Sequence, residues 1–161
     1  MSKEELKLKI EELAAAGAVK VLPFGEDLGG VAVDWLNVSI EANDWLPLAQ
    51  QLRNNAELDF DFLFSVTGVD WKTHLTVVYH LRSIKHGHIV VVKAKCDRAK
   101  PEIETVCNIW KTAELNEREA YDLFGIIFLN HPDLRRLFLT DDWEGWPLRK
   151  DYVDEVNIIK L

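Results

Sequence analysis

Cysteine is scarce in this sequence: Cys96 and Cys107 are the two in 161 residues. Iron–sulfur clusters generally take four cysteine ligands, and structural zinc takes four Cys or His ligands at tight spacing, so neither centre is expected. A disulfide is not expected in a reducing compartment, and both thiols are read as packing residues. Phosphate-binding loops are missing as well. No Gly-x-Gly-x-x-Gly or Walker-type run occurs, and Gly29-Gly30 marks only a turn. Excess positive charge is also absent: 19 Lys and Arg face 27 Asp and Glu, a formal net charge of −8. That balance argues against nucleic acid and against docking on an anionic lipid surface. Apolar runs are short. Ile89-Val90-Val91-Val92 stops at Lys93, far below the roughly 20 residues of a membrane span. Met1-Ser2-Lys3-Glu4-Glu5 lacks the apolar stretch of a signal peptide. The expectation is a cytoplasmic chain with no direct membrane insertion, brought to a membrane only by a partner.

What is present describes a folded domain with an appendage. With 48% hydrophobic and 29% charged residues the balance is globular rather than disordered. Ser2-Lys3-Glu4-Glu5 forms a capping box, ahead of Leu6, Ile10, Leu13 and Ala14 on one helical face and Gly17 as a stop. Val19 to Phe24 reads as a strand, and Val31, Val33 and Trp35 alternate as a second. Asn43-Asp44 is expected to cap a helix carrying Pro47 in its first turn, with Trp45, Leu48 and Leu52 on its apolar side. Phe60, Phe62 and Phe64 alternate in a half-buried strand running toward Val69. Leu75–Leu81 and Ile89–Ala94 read as a hairpin around Ser83–His88, with Gly87 in the turn. Ile103, Val106, Cys107 and Trp110 step i, i+3, i+4, i+7 and predict an amphipathic helix behind Pro101. Asn116 with Glu119 predicts a short helix ended by Gly125, and Ile126-Ile127-Phe128 a last strand. The reading is α+β: a largely antiparallel sheet with packing helices, and an extended C-terminal arm.

No catalytic constellation emerges. His86-Gly87-His88 offers two ligands in a solvent-facing turn, below the three or four that metal sites use. Ser65 and Ser83 lack the strained turn and adjacent base of a nucleophile. Glu117 and Glu119 are two apart on a helix and point different ways; the first is assigned to the helix N-terminus and the second to its cap. A hydrolase built on His131, Glu117 or Asp122 has no oriented nucleophile–base pair. No catalytic, cofactor-binding or metal residue is therefore named.

From His131 the periodicity ends. The stretch to Tyr152 holds Leu134, Leu137, Phe138, Leu139, Trp143 and Trp146, stiffened by Pro132 and Pro147. Between Glu117 and Asp154 nine acidic and five basic residues are interspersed with aromatic ones, the composition of interface hot spots. Residues 1–130 are read as the domain and 131–161 as an arm that docks on a partner and is fixed there. The alternative is a loop folded back on its own domain.

Three runs carry a resemblance. They are Glu117-Arg118-Glu119-Ala120-Tyr121-Asp122-Leu123-Phe124-Gly125-Ile126, His131-Pro132-Asp133-Leu134-Arg135-Arg136-Leu137, and Gly145-Trp146-Pro147-Leu148-Arg149-Lys150-Asp151. Together they resemble the C subunit of respiratory NADH:quinone oxidoreductase (complex I), a family that includes the chloroplast-type J subunit and membrane-bound hydrogenase relatives. Val69-Asp70-Trp71 resembles a further family feature. Leu137-Phe138-Leu139 is a conservative apolar departure, and the end ten residues after Asp151 implies a shorter tail than some relatives have. The resemblance implies a non-redox structural subunit of a proton-translocating peripheral arm, catalysing nothing alone. It would bind no cofactor, with flavin and iron–sulfur clusters in partner subunits. Its partners would be the large D-type, hydrogenase-like subunit and iron–sulfur subunits, at the cytoplasmic face of the inner (plasma) membrane. The residues expected at the partner interface are Glu117, Arg118, Glu119, Asp122, His131, Asp133, Arg135, Arg136, Trp143, Trp146, Arg149, Lys150 and Asp151. Arg135 or Arg136 is expected to pair with a partner carboxylate. The alternatives are the same subunit in a hydrogenase or ferredoxin-linked complex, and a free-standing interaction module.

Overall fold

The computed structural model describes residues 2–14, 19–22 and 35–154. Gly17, Gly29-Gly30, Phe24 and the strand expected at Val31 and Val33 lie outside those residues. Helix α1 (Lys3–Leu13) opens with the predicted capping box: the Ser2 hydroxyl accepts from the Glu5 N–H at 3.2 Å, and the Glu5 carboxylate accepts from the Ser2 N–H at 2.7 Å. Strands β1 (Val19–Leu22), β2 (Leu36–Glu41), β3 (Phe62–Asp70), β4 (His74–Arg82) and β5 (Ile89–Asp97) form one sheet in the order β1-β2-β5-β4-β3. All neighbours are antiparallel except β2 and β5. The α+β reading therefore holds. The β4–β5 hairpin turns at Gly87, where φ is +73°.

Helix α2 (Ala42–Asn54) follows β2 directly and lays Trp45, Leu48, Ala49 and Leu52 in the core. Trp45 stacks between Tyr79 and Trp110, with ring centroids 4.4 and 6.4 Å away. The helix starts earlier than the Asn43-Asp44 signal implied. Glu41 is its N-cap, without a side-chain bond, because β2 runs straight into it. Pro47 consequently lies inside the helix, where its missing N–H leaves the Asn43 carbonyl without an i+4 donor. The Phe60, Phe62, Phe64 series also divides: Phe60 is buried before β3 begins, whereas Phe62 and Phe64 stand on the exposed side of the strand.

The helix expected over Ile103–Trp110 is absent. Instead β6 (Glu102–Glu104) pairs in parallel with β7 (Ile127–Leu129), Ile103 opposite Phe128, and a turn carries Val106, Cys107 and Trp110 into the core. A strand followed by a turn can bury the same four residues that one helical face would, so periodicity alone could not distinguish them. The β-branched Ile103, Thr105 and Val106 favour the extended choice. Helix α3 (Ala113–Phe124) starts before the Asn116 signal. Thr112 is its N-cap residue and spends its hydroxyl on the Leu63 carbonyl at 2.8 Å, and Asn116 lies in the first turn. Gly125 ends α3 as expected, in the left-handed conformation at φ +70°. No helix among the described residues is long and apolar enough to cross a membrane.

Candidate functional site

Residues 131–154 contain no helix or strand, and they lie on α3 of their own chain. This is the folded-back arrangement that the sequence left open as the alternative. Two buried carboxylates of the domain hold it.

The first is Asp122, on the face of α3 opposite solvent and fully buried. One of its oxygens, Oδ2, accepts from three consecutive backbone N–H groups, Leu137, Phe138 and Leu139, at 3.0, 2.7 and 3.0 Å. Its other oxygen accepts from Arg136 Nη1 at 3.0 Å. Burial pushes this carboxyl up, but the three amides and the guanidinium outweigh that and hold it below the usual carboxylate range. Arg136 also donates to the Trp143 carbonyl at 2.9 Å, and its guanidinium lies 4.7 Å from the centre of the Trp146 ring. Arg118, itself buried, donates to the carbonyls of Arg135 and Arg136 at 3.2 and 3.0 Å. Trp146 covers Gly125, where a Cβ would collide with its ring. Arg149 donates to the Phe124 carbonyl at 2.6 Å, closing the arm over the end of α3.

The second carboxylate is Asp70, at the end of β3. It accepts from the N–H of Lys150 at 2.8 Å and of Lys72 at 2.6 Å, and it pairs with Arg98. Arg98 reaches on to Asp151 at 2.8 Å. Burial raises the Asp70 carboxyl, yet the bonds from Arg98, Lys150 and Lys72 more than offset it, leaving it at about 2.

A third buried carboxylate, Glu117, sits at the root of the arm. It does not serve the helix N-terminus as expected. Instead it accepts from Thr105 Oγ1 at 2.5 Å, from the Val106 N–H at 3.0 Å and from the Cys107 thiol at 3.3 Å. Burial raises it, and these three donors offset that only partly. The His131 ring lies beside it, with Nε2 3.9 Å from Glu117 Oε2.

The thirteen residues named from the sequence thus separate. Glu117, Arg118, Asp122, His131, Arg136, Trp146 and Arg149 face inward at the junction of α3 and the arm. Lys150 contributes its backbone N–H, and Asp151 pairs with Arg98. Trp143 is half-buried and offers its carbonyl to Arg136; Glu119 is half-buried on α3. Asp133 and Arg135 pair with each other at 2.9 Å on the exposed side. Phe138, Leu148 and Val153 are 66%, 52% and 72% exposed, among exposed charged residues such as Asp141, Asp142 and Glu144. Sequence reasoning missed Arg98, Thr105 and Cys107 as parts of the site. Asp70 carried a motif signal, but nothing local linked it to Lys150.

Comparison with known proteins adds a family. Residues 38–156 match the family described as "Respiratory-chain NADH dehydrogenase, 30 Kd subunit". The C/D subunit of NADH-quinone oxidoreductase from Phocaeicola vulgatus is 52% identical over 103 residues, which is 63% of this chain and 20% of that protein. The C subunit of F(420)H(2) dehydrogenase from Methanosarcina mazei is 49% identical over 98 residues, 59% of this chain and 62% of that protein. The match therefore spans a fifth of one relative and less than two thirds of the other. Among solved structures, a trypsin-resistant fragment (1–134) of Nqo5 superposes with a TM-score of 0.64 at 26% identity, covering 83% of this chain and 100% of the fragment.

Proposed function

This chain belongs to the respiratory-chain NADH dehydrogenase 30 kDa subunit family, and on that premise we propose that it is a non-redox structural subunit of a quinone-reducing, proton-translocating complex. In this reading it packs against the large D-type subunit, and flavin and iron–sulfur clusters belong to other subunits. It sits peripherally at the cytoplasmic face of the membrane, held there by the complex. The observation that carries the reading is the family match together with a relative in which C and D are one protein. The clamped arm supports it physically. Its ordering cost is met within the domain, and Phe138, Leu148 and Val153 are left exposed for a partner to cover.

Affinity purification of the tagged full chain from detergent-solubilised native membranes tests this. A D-type subunit and NADH:quinone reductase activity should co-elute with it. Phe138→Asp, on the exposed side, should leave the melting temperature of the isolated chain unchanged and reduce co-elution. A chain that elutes alone, or a Phe138→Asp variant that assembles normally, overturns the reading or the assignment of that surface respectively. A second reading, the same subunit in a complex with another electron donor, is favoured by the F(420)H(2) dehydrogenase relative. Assaying the purified complex with NADH and with reduced F420 separates the two.

A further inference from the structure

Of the three buried carboxylates among the described residues, two are matched with arginine: Asp122 with Arg136 and Asp70 with Arg98. Glu117 is met differently. The groups that converge on its Oε2 are a hydroxyl, a thiol and an imidazole, from Thr105, Cys107 and His131. A buried carboxylate is ordinarily paired with a cation or coordinated to a metal, and a thiolate, a neutral imidazole and a carboxylate are all zinc ligands. Cys107 comes from the turn after β6, Glu117 from α3, and His131 from the segment after β7. One ligand atom from each lies within 4.8 Å of the other two. Neither the His131 nor the Glu117 side chain has any exposed area, and Cys107 is 6% exposed.

We propose that Cys107, Glu117 and His131 form a binding site for a thiophilic borderline divalent cation, of which Zn2+ is the type, pinning the root of the arm to the domain. The proposal is independent of the assignment to a redox complex. A tetrahedral zinc with bonds of about 2.3 Å to sulfur and about 2.0–2.1 Å to nitrogen or oxygen sets its ligand atoms roughly 3.3–3.6 Å apart. Here Sγ to Oε2 is 3.3 Å, Nε2 to Oε2 is 3.9 Å and all three atoms lie within 4.8 Å of one another, so the His131 ring moves inward to complete three corners. A water takes the fourth. Outer contacts already aim the ligands: the Val106 N–H holds Glu117 Oε1 at 3.0 Å, and Thr105 Oγ1 accepts from the Cys107 N–H at 3.2 Å. Mixed sulfur, nitrogen and oxygen donors select zinc-like ions over Mg2+ or Ca2+.

The protons balance as follows. His131 Nδ1 accepts from the Asp133 N–H at 3.0 Å, which puts the ring proton on Nε2, where it is donated to the Glu114 carbonyl at 3.1 Å. Coordination through Nε2 transfers that proton to Nδ1 and releases the Asp133 amide. Cys107 loses its thiol proton to solvent, as does any protonated Glu117. The thiol is pushed up to about 12 chiefly by burial, so the cation, not the pocket, must drive its deprotonation.

The test is titration of the metal-free full chain with Zn2+ or Co2+ alone. One equivalent should bind, with a thiolate-to-cobalt absorption band for Co2+, a raised melting temperature for Zn2+ and faster hydrogen exchange at the Asp133 amide. Cys107→Ser keeps an O–H donor for Glu117 and should weaken binding by more than the roughly 10–100-fold that loss of an outer contact costs. His131→Gln should do the same, and His86→Ala/His88→Ala should change nothing. If His131→Gln does not fold, Cys107→Ser and the cobalt band decide the matter. Absence of a bound equivalent, a cobalt spectrum without a thiolate band, or affinity insensitive to Cys107→Ser overturns the proposal.

Discussion

Asp122→Ala should loosen the arm and destabilise the whole domain, and the structure sets the size of the effect. The substitution leaves the Arg136 guanidinium, 12% exposed, without its carboxylate, and it removes the acceptor for three backbone N–H groups. Stranding one member of a buried ion pair costs about 3–5 kcal/mol. The amides add less than their number implies, because Leu137 and Leu139 are half-buried and Phe138 is exposed, so their N–H groups can turn to water. The expected loss therefore stays near 3–5 kcal/mol. In a chain of this size each kcal/mol moves the melting temperature by about 2–4 °C, so a fall of roughly 6–20 °C is expected. Asp122→Asn keeps an oxygen for the three amides but turns an NH2 toward Arg136, and should cost about 1–3 kcal/mol. Urea and thermal melts measure both, and amide exchange at Leu137–Leu139 reports whether the arm has lifted. An Asp122→Ala variant within about 0.5 kcal/mol of the parent, the range of neutral surface changes, would refute the clamp. So would undiminished protection of those three amides.

Two further predictions concern the arm's other attachments. Gly125→Ala places a side chain on a left-handed backbone, costing about 1–2 kcal/mol, and also displaces Trp146; a thermal melt should show the loss, with a change in tryptophan fluorescence. Asp70 has a depressed native pKa of about 2, so it contributes stability fully above the ordinary carboxylate value, and that contribution is lost as pH falls toward 2. Urea melts from pH 5 downward should show a slope in this window that Asp70→Asn flattens; an unchanged slope would remove Asp70 from the clasp.

The paired arginines show how structure divides what sequence presents as equivalent. Arg136 is internal, held by Asp122, the Trp143 carbonyl and the Trp146 ring, whereas Arg135 is 68% exposed beside Asp133. Arg136 thus belongs to the fold of the arm, whereas Arg135 is left on the surface.

By itself the sequence determined the features that act within one turn or one pair of strands. The Ser2–Glu5 capping box, the β4–β5 hairpin at Gly87, the end of α3 at Gly125 and the loss of period after His131 were all legible, because each rests on short-range hydrogen bonding or on allowed φ. The motifs between Glu117 and Asp151 pointed to the family. Tertiary structure alone decided that Ile103 belongs to a strand, since its partner Phe128 lies 25 positions on and periodicity is blind to pairing. It alone decided that Asp70 ties down Lys150, 80 positions away, and that Glu117 turns inward to Thr105 and Cys107 rather than outward to the helix end. A carboxylate's role depends on which donors reach it once the chain has closed, and local sequence carries no record of which distant donors those will be.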